Sequence, residues 1–134
     1  MTVPKVLDSY AFIAFLENES GAEKVAALIK QARDNEKPLF MSVVNWGEVY
    51  YILHREAGIE AATKVLQTID TLPIEIVPAD RELTLIAAEL KSKRKMSYGD
   101  CFAAALAKLK KAELVTGDKE FREVENDIKV LWLR

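Results

Sequence analysis

Apolar residues fall along the chain in short clusters separated by amphipathic stretches, and their spacing predicts the order of elements. Val3 to Leu7 reads as a short apolar strand, followed by a helical run from Ser9 to about Glu17. Ser20-Gly21-Ala22-Glu23 has the form of a capping box, in which a hydroxyl and a carboxylate satisfy each other's backbone N–H groups. It predicts a helix with Ala22, Val25, Ala26 and Ile29 on one face. Pro38 resets the chain, and Leu39-Phe40-Met41 predicts a second strand. Ser42 is placed to cap a helix that runs through Val43, Tyr50 and Leu53 and stops near Gly58. Another helix covers about Ile59 to Asp70, and Pro73 and Pro78 bracket a third strand, Ile74 to Val77. Asp80 caps a helix whose Leu83, Ile86, Ala87 and Leu90 keep the i, i+3, i+4, i+7 spacing. The basic stretch Lys91 to Lys95 precedes a helix from about Tyr98 to Lys111. Glu113 to Thr116 predicts a fourth strand, Asp118 to Val124 a short helix, and Ile128 to Leu133 a fifth strand.

Strands that alternate with helices predict an α/β fold with a parallel, helix-covered sheet. No repeat, low-complexity tract or Gly/Ser-rich linker divides the sequence, so residues 1–134 are expected to form one domain. In such sheets ligands collect outside the carboxyl ends of the strands, where strand order reverses. Asp8 follows the first strand and Asp118 the fourth. If the strand order is 3-2-1-4-5, those two strands are neighbours at that point and the two aspartates face one crevice.

Composition narrows the chemistry. Of 134 residues half are hydrophobic and 30% are charged, with a formal net charge of −2, so the overall field does not advertise a nucleic-acid binder. The single cysteine, Cys101, excludes an intramolecular disulfide. With one histidine, His54, acid–base catalysis by two imidazoles within a chain is excluded, and a zinc site of Cys and His is disfavoured. His54 falls six residues after Glu48, about 240° around a helix, and is expected on a surface away from it. Cys101 is expected as a small buried residue of the Ala-rich helix, and Trp46, Tyr50, Tyr51, Phe12 and Phe15 as core or dimer surface. The N-terminus lacks a secretory pattern and no apolar run is long enough to span a membrane, so a cytoplasmic protein is expected.

Four acids stand where apolar sequence meets a helix start: Asp8, Glu48, Asp100 and Asp118. Asp8 and Asp118 each have an alternative role as a helix N-cap, and Asp100 as the returning carboxylate of the box Ser97-Tyr98-Gly99-Asp100. Glu48 lies past the first turn of its helix, among Val44, Trp46, Val49, Tyr50 and Ile52, and is expected to be buried. A buried carboxylate must find a cation or take up a proton. Together the four acids are suited to Mg²⁺ or Mn²⁺, hard cations that prefer carboxylate and water oxygens and that activate water for phosphodiester hydrolysis. Thr116 is positioned either to hydrogen-bond the attacking water or a phosphate oxygen, or to serve only as a strand-end hydroxyl.

The chain resembles the PIN domain family, specifically the small VapC-type toxin ribonucleases. The resemblance covers nearly the whole chain and is carried by Val6-Leu7-Asp8-Ser9, Asn45-Trp46-Gly47-Glu48, Tyr98-Gly99-Asp100 and Leu114-Val115-Thr116-Gly117-Asp118-Lys119-Glu120-Phe121. It implies a three-layer α/β/α fold with a five-stranded parallel sheet in order 3-2-1-4-5. It further implies a Mg²⁺- or Mn²⁺-dependent endoribonuclease acting on an RNA substrate, a homodimer, and a cognate VapB-like antitoxin whose C-terminal tail plugs the active site. Asp8, Glu48, Asp100 and Asp118 are then the metal-binding and catalytic acids, Thr116 the accessory hydroxyl, and Asn45 a residue that orders the Glu48 helix. Tyr10 departs from the pattern, because many relatives carry a small residue there, and it bears on the width of the cleft mouth.

Lys91, Lys93, Arg94 and Lys95 precede the Asp100 helix and Lys108, Lys110 and Lys111 close it, a local asymmetry that the net charge hides. The first of these stretches is expected to hold RNA phosphates that the acids would repel. Two rivals fit less well. A receiver-type signalling domain would need an acidic pair near the first strand and a lysine after the fifth, and a phosphatase of the Asp-x-Asp kind fails because position 10 is tyrosine. A PIN-like binding or RNA-processing module without a toxin role remains the alternative.

Overall fold

A computed structural model describes residues 3–134. Five strands, β1 (Lys5–Leu7), β2 (Leu39–Ser42), β3 (Ile74–Val77), β4 (Glu113–Thr116) and β5 (Val130–Trp132), form one parallel sheet in the order β3-β2-β1-β4-β5. Strand β1 is shorter than its apolar run because Pro4 has no N–H to give to a ladder and Val3 is 44% exposed. Helices α1 (Ser9–Leu16), α2 (Ala22–Asp34), α3 (Val43–Ala57), α4 (Ile59–Asp70), α5 (Arg81–Lys93) and α6 (Tyr98–Lys110), with the 3₁₀ helix Lys119–Val124, fill the connections. Among the described residues no helix is long and apolar enough to cross a membrane.

Strand alternation splits the interior into two cores. Val6 and its register partner Leu114 point to the side covered by α5, α6 and the 3₁₀ helix, where they meet Leu83, Phe102 and Phe121. Leu7 and its partner Val115 point to the opposite side, onto Phe12, Val25, Val49 and Ile69 of α1 to α4. Helix α6 is buried from Cys101 to Ala107. Its alanines let it lie close against the sheet, which fixes where its first turn, with Asp100, ends up.

The expected capping box at Ser20 does not form. Gly21 is the N-cap of α2, at φ +93°, and it makes no side-chain capping bond. A Cβ at Gly21 would stand 2.7 Å from Leu133 Cβ, so this corner is set by close approach to the end of the sheet and by a left-handed residue. Of the helix face expected there, Ala22, Val25 and Ile29 are buried and Ala26 is exposed.

Candidate active site

The parallel strands β1, β2 and β4 have their carboxyl ends on one side of the sheet, and the residues that follow them do the work of both capping and site building. Asp8 is the N-cap of α1: its Oδ1 accepts a hydrogen bond from the Ala11 N–H at 2.7 Å. Asp118 is the N-cap of the 3₁₀ helix, accepting from the Glu120 N–H at 2.9 Å. Ser97 caps α6 by accepting from the Asp100 N–H at 3.2 Å. Capping and site membership are therefore compatible, because a cap places its carboxylate at a helix entrance, where these loops converge.

Asp8 and Asp118 are joined through Thr116. The Thr116 hydroxyl donates to Asp8 Oδ2 at 2.6 Å and accepts from the Asp118 N–H at 3.0 Å. Thr116 is fully buried, with its hydroxyl proton directed to Asp8. From the end of β4 its hydroxyl bridges the two aspartates.

Glu48 is less buried than its apolar helix predicts. Glu48 is half-buried, and its Oε1 accepts hydrogen bonds from the Ser9 hydroxyl at 3.1 Å and from Asn45 Nδ2 at 2.7 Å. Neutral donors hold it. Asn45 also donates to the Gly99 carbonyl at 3.1 Å, tying α3 to the first turn of α6. Its Oδ1 is buried and has no partner among the described residues.

The desolvated carboxylate is Asp8, which is 2% exposed. Burial pushes its pKa up to about 7, against the opposing effect of the Thr116 and Ala11 hydrogen bonds, and the nearby charges of Asp118 and Glu48 add to the rise. Asp100 is raised to about 8, first by burial and then by a shared hydrogen bond with Glu120 and by the charges of Asp118 and Asp8, while Ser97 opposes. Carboxylate oxygens of Asp100, Asp118 and Glu120 lie within 4.8 Å of one another. Glu120 was absent from the set of acids singled out in the sequence. The available signal was its place two residues after Asp118, at the start of a short helix that turns both side chains to one side.

Ser9, Glu48, Asp100, Asp118 and Glu120 line one crevice of about 690 Å³, in which Arg134 is the only lining cation among the described residues. Tyr10 forms part of its wall. The ring packs against Gly117, where a Cβ would come within 2.5 Å of Tyr10 Cε1, and the Arg134 guanidinium lies over it and donates to its hydroxyl. Tyr10 thus narrows the mouth from the side and leaves the crevice open.

Does this donor set fit a divalent cation? The oxygens of Asp100, Asp118 and Glu120 are hard and converge on one space, and the carboxyls of Asp8 and Asp100 are held above their ordinary pKa by burial first and by the neighbouring negative charges second. Hard, convergent oxygens suit a cation of the Mg²⁺ or Mn²⁺ type, which would also offset the negative charge crowded there. The basic stretches are elsewhere. Lys91 Nζ donates to the Met96 carbonyl at 2.7 Å, and Arg94 is ion-paired with Asp127 at 2.7 Å. Lys93, Arg94 and Lys108 line a separate cavity of about 370 Å³ that shares no lining residue with the acid crevice. Lys110 lies over the Phe40 ring at the other end of α6, about 15 Å along the helix from Asp100. His54 is exposed and Cys101 is fully buried.

One substitution isolates the approach of α3 to α6. A Cβ on Gly99 would sit 2.2 Å from Glu48 Oε2. The atom it meets is the end of a flexible side chain, so Gly99→Ala is expected to leave the melting temperature nearly unchanged, with Ala also the better helix former. It displaces the carboxylate, however, and a shift of about 1 Å in a working group costs up to about 10²-fold in rate. Thermal melts and turnover measured on the same preparation check this pair of outcomes.

A model of the PIN domain family matches residues 5–127. No curated protein sequence matches the chain at a significant level. Solved structures do. The DNA-bound VapBC of Salmonella typhimurium superposes with a TM-score of 0.72 at 16% identity, covering 99% of this chain and 100% of that one. VapBC-1 of nontypeable Haemophilus influenzae gives a TM-score of 0.72 at 20% identity, covering 96% and 97%. VapC20 of Mycobacterium tuberculosis, described as a Sarcin-Ricin loop cleaving toxin, gives 0.63 at 20% identity over 88% and 92%. At these identities the likeness is one of fold.

Proposed function

The chain belongs to the PIN domain family, and from that premise we propose that it is a divalent-metal-dependent endoribonuclease, the toxin of a toxin–antitoxin pair, with residues 1–134 acting as one cytoplasmic nuclease unit. The observation that carries the reading is the convergence of Asp100, Asp118 and Glu120 on one crevice, with the buried Asp8 tied to Asp118 through Thr116 and Glu48 held beside them by Ser9 and Asn45. In this reading Asp8, Asp100 and Asp118, joined by Glu120, hold the ion, which is Mg²⁺ or Mn²⁺. When bound, such an ion lowers the pKa of water and offsets the charge that develops on a phosphodiester under attack.

The rest of the work falls to the chain. Asp8 is fixed at both oxygens by Ala11 and Thr116, so its carboxylate is oriented before any ligand arrives. Glu48 has its Oε1 engaged, and its Oε2 accepts no hydrogen bond from the described residues, which leaves that oxygen to orient a water or take its proton. A single-stranded segment suits an open crevice better than a duplex, because its phosphates can be turned inward past Tyr10 and Arg134.

Several of the solved relatives are VapBC complexes. We carry over from them a VapB-like antitoxin, and from the family resemblance a homodimer. An antitoxin tail bearing positive charge is complementary to a crevice with five acids and one lining cation. The test is expression of the chain with and without the small gene beside it, followed by sequencing of RNA ends. Growth arrest relieved by co-expression, with new ends at a restricted set of sites, is expected. Unimpaired growth with unchanged RNA ends would count against the toxin reading.

A further inference from the structure

Beside the acid crevice lies a second concavity of about 320 Å³, lined by Gly117, Lys119, Arg122, Glu125, Trp132 and Arg134. Arg134 lines both spaces. Gly117, which lines the second, directly precedes Asp118, which lines the first. The two concavities are therefore neighbours along one surface, one acidic and one basic.

Three cations, Lys119, Arg122 and Arg134, are gathered in this pocket against a single acid, Glu125. Lys5, Lys30, Arg94 and Lys129 are ion-paired with carboxylates, whereas Lys119, Arg122 and Arg134 are not, among the described residues. The pocket's one acid, Glu125, accepts from the Trp132 indole N–H at 3.0 Å, which holds the half-buried ring in a fixed orientation in the wall. Lys24 adds a further cation at the edge, donating to the Trp132 carbonyl at 3.3 Å. A fixed aromatic ring with unpaired cations around it is the combination by which proteins hold single-stranded nucleic acid: the base stacks and the phosphates are neutralised.

We propose that this pocket is the subsite for the nucleotide adjoining the scissile bond, with Arg134 gripping the phosphate between the two spaces, Lys119 and Arg122 the next phosphates, and Trp132 the base. The assignment rests on the nuclease reading above, and it deepens that reading by placing the RNA path on the Lys119–Arg134 side of the crevice, away from the Lys91 to Lys95 stretch. It also gives Tyr10 a purpose, since Tyr10 supports the Arg134 guanidinium at the junction.

The test is a salt titration of binding to a short single-stranded RNA, in an Asp8→Asn background that keeps the RNA intact and with Mg²⁺ present. Each phosphate contact on a single strand contributes about 0.7 to the slope of log K against log salt, so Lys119→Gln, Arg122→Gln and Arg134→Gln together are expected to flatten it by about 2. Lys93→Gln, Arg94→Gln and Lys95→Gln together are expected to leave the slope as it was. In a Trp46→Phe variant, where Trp132 is the only remaining tryptophan, adding RNA is expected to quench the emission. An unchanged slope in the first triple variant, with the parent protein still cleaving RNA, overturns the subsite and leaves the nuclease reading standing. Loss of slope in the second triple variant alone also overturns it. Absence of both RNA binding and parental cleavage removes the subsite and the nuclease reading together.

Discussion

Replacing Asp8 with asparagine is expected to abolish RNA cleavage and, at the same time, to make the metal-free protein more stable. The two effects have one cause. Asp8 is 2% exposed and its pKa is raised to about 7, so at neutral pH and above the fold carries a largely desolvated negative charge. Asparagine keeps the shape and can still accept from the Ala11 N–H, and the Thr116 hydroxyl can turn to accept from the new amide, so the local framework survives. What disappears is the charge. A ligand and electrostatic contribution of several kcal/mol to the reaction goes with it, which at about 1.4 kcal/mol per tenfold is roughly three powers of ten in rate. The fold is relieved of a burial cost of a few kcal/mol, on the order of 10 °C in Tm at pH 8. Turnover and thermal melts on the same sample check the pair. An active variant, or one less stable than the parent in EDTA at pH 8, contradicts the role given to Asp8.

The parent protein should show the same tension as a function of pH. For a carboxyl raised above its ordinary value the folded state binds the extra proton, so stability falls as pH rises through the interval between the two values. For Asp8 that interval runs from 3.8 to about 7, and for Asp100 from 3.8 to about 8. In EDTA the melting temperature is therefore expected to drop between pH 5.5 and pH 8. Adding Mg²⁺ or Mn²⁺ at pH 8 should restore it, by about 2.7 kcal/mol at a concentration 100 times the dissociation constant if the ion binds only the folded state. At pH 5.5, where protons already neutralise the site, the same addition should do much less. A melting temperature independent of both pH and cation would mean that the acids are compensated in another way.

These expectations show where sequence reasoning reached and where it stopped. Local patterns were sufficient for α4 and β3, whose bounds, Ile59–Asp70 and Ile74–Val77, are those read from the chain, because Gly58, Pro73 and Pro78 punctuate them. The caps at Asp8, Ser42, Asp80 and Asp118 were legible for the same reason, since each depends on neighbours two or three residues away. Ser20 misled because the start of α2 is decided by Leu133, more than a hundred residues on. The burial of acids was misassigned on the same principle. Glu48 sits in an apolar helix but is partly exposed and held by Ser9 and Asn45, while Asp8, just after a three-residue strand, is buried and hydrogen-bonded to Thr116 of the neighbouring strand β4. Helix periodicity reports what surrounds a residue along its own element, and it is blind to what another strand brings over it. Glu120 was overlooked because the 3₁₀ geometry that turns it beside Asp100 and Asp118 leaves no periodic trace in six residues.

The central claim is that these acids form a cation site that hydrolyses RNA with water as the nucleophile. The most direct test is to incubate the purified protein with a single-stranded RNA in EDTA, restore Mn²⁺ or Mg²⁺ in excess, and determine the chemistry of the new ends. Cleavage that appears only with the cation, leaving no 2′,3′-cyclic phosphate because the attacking oxygen comes from water, is the predicted result. Cleavage that persists in the chelator, or ends carrying a cyclic phosphate from attack by the ribose 2′-hydroxyl, would contradict it.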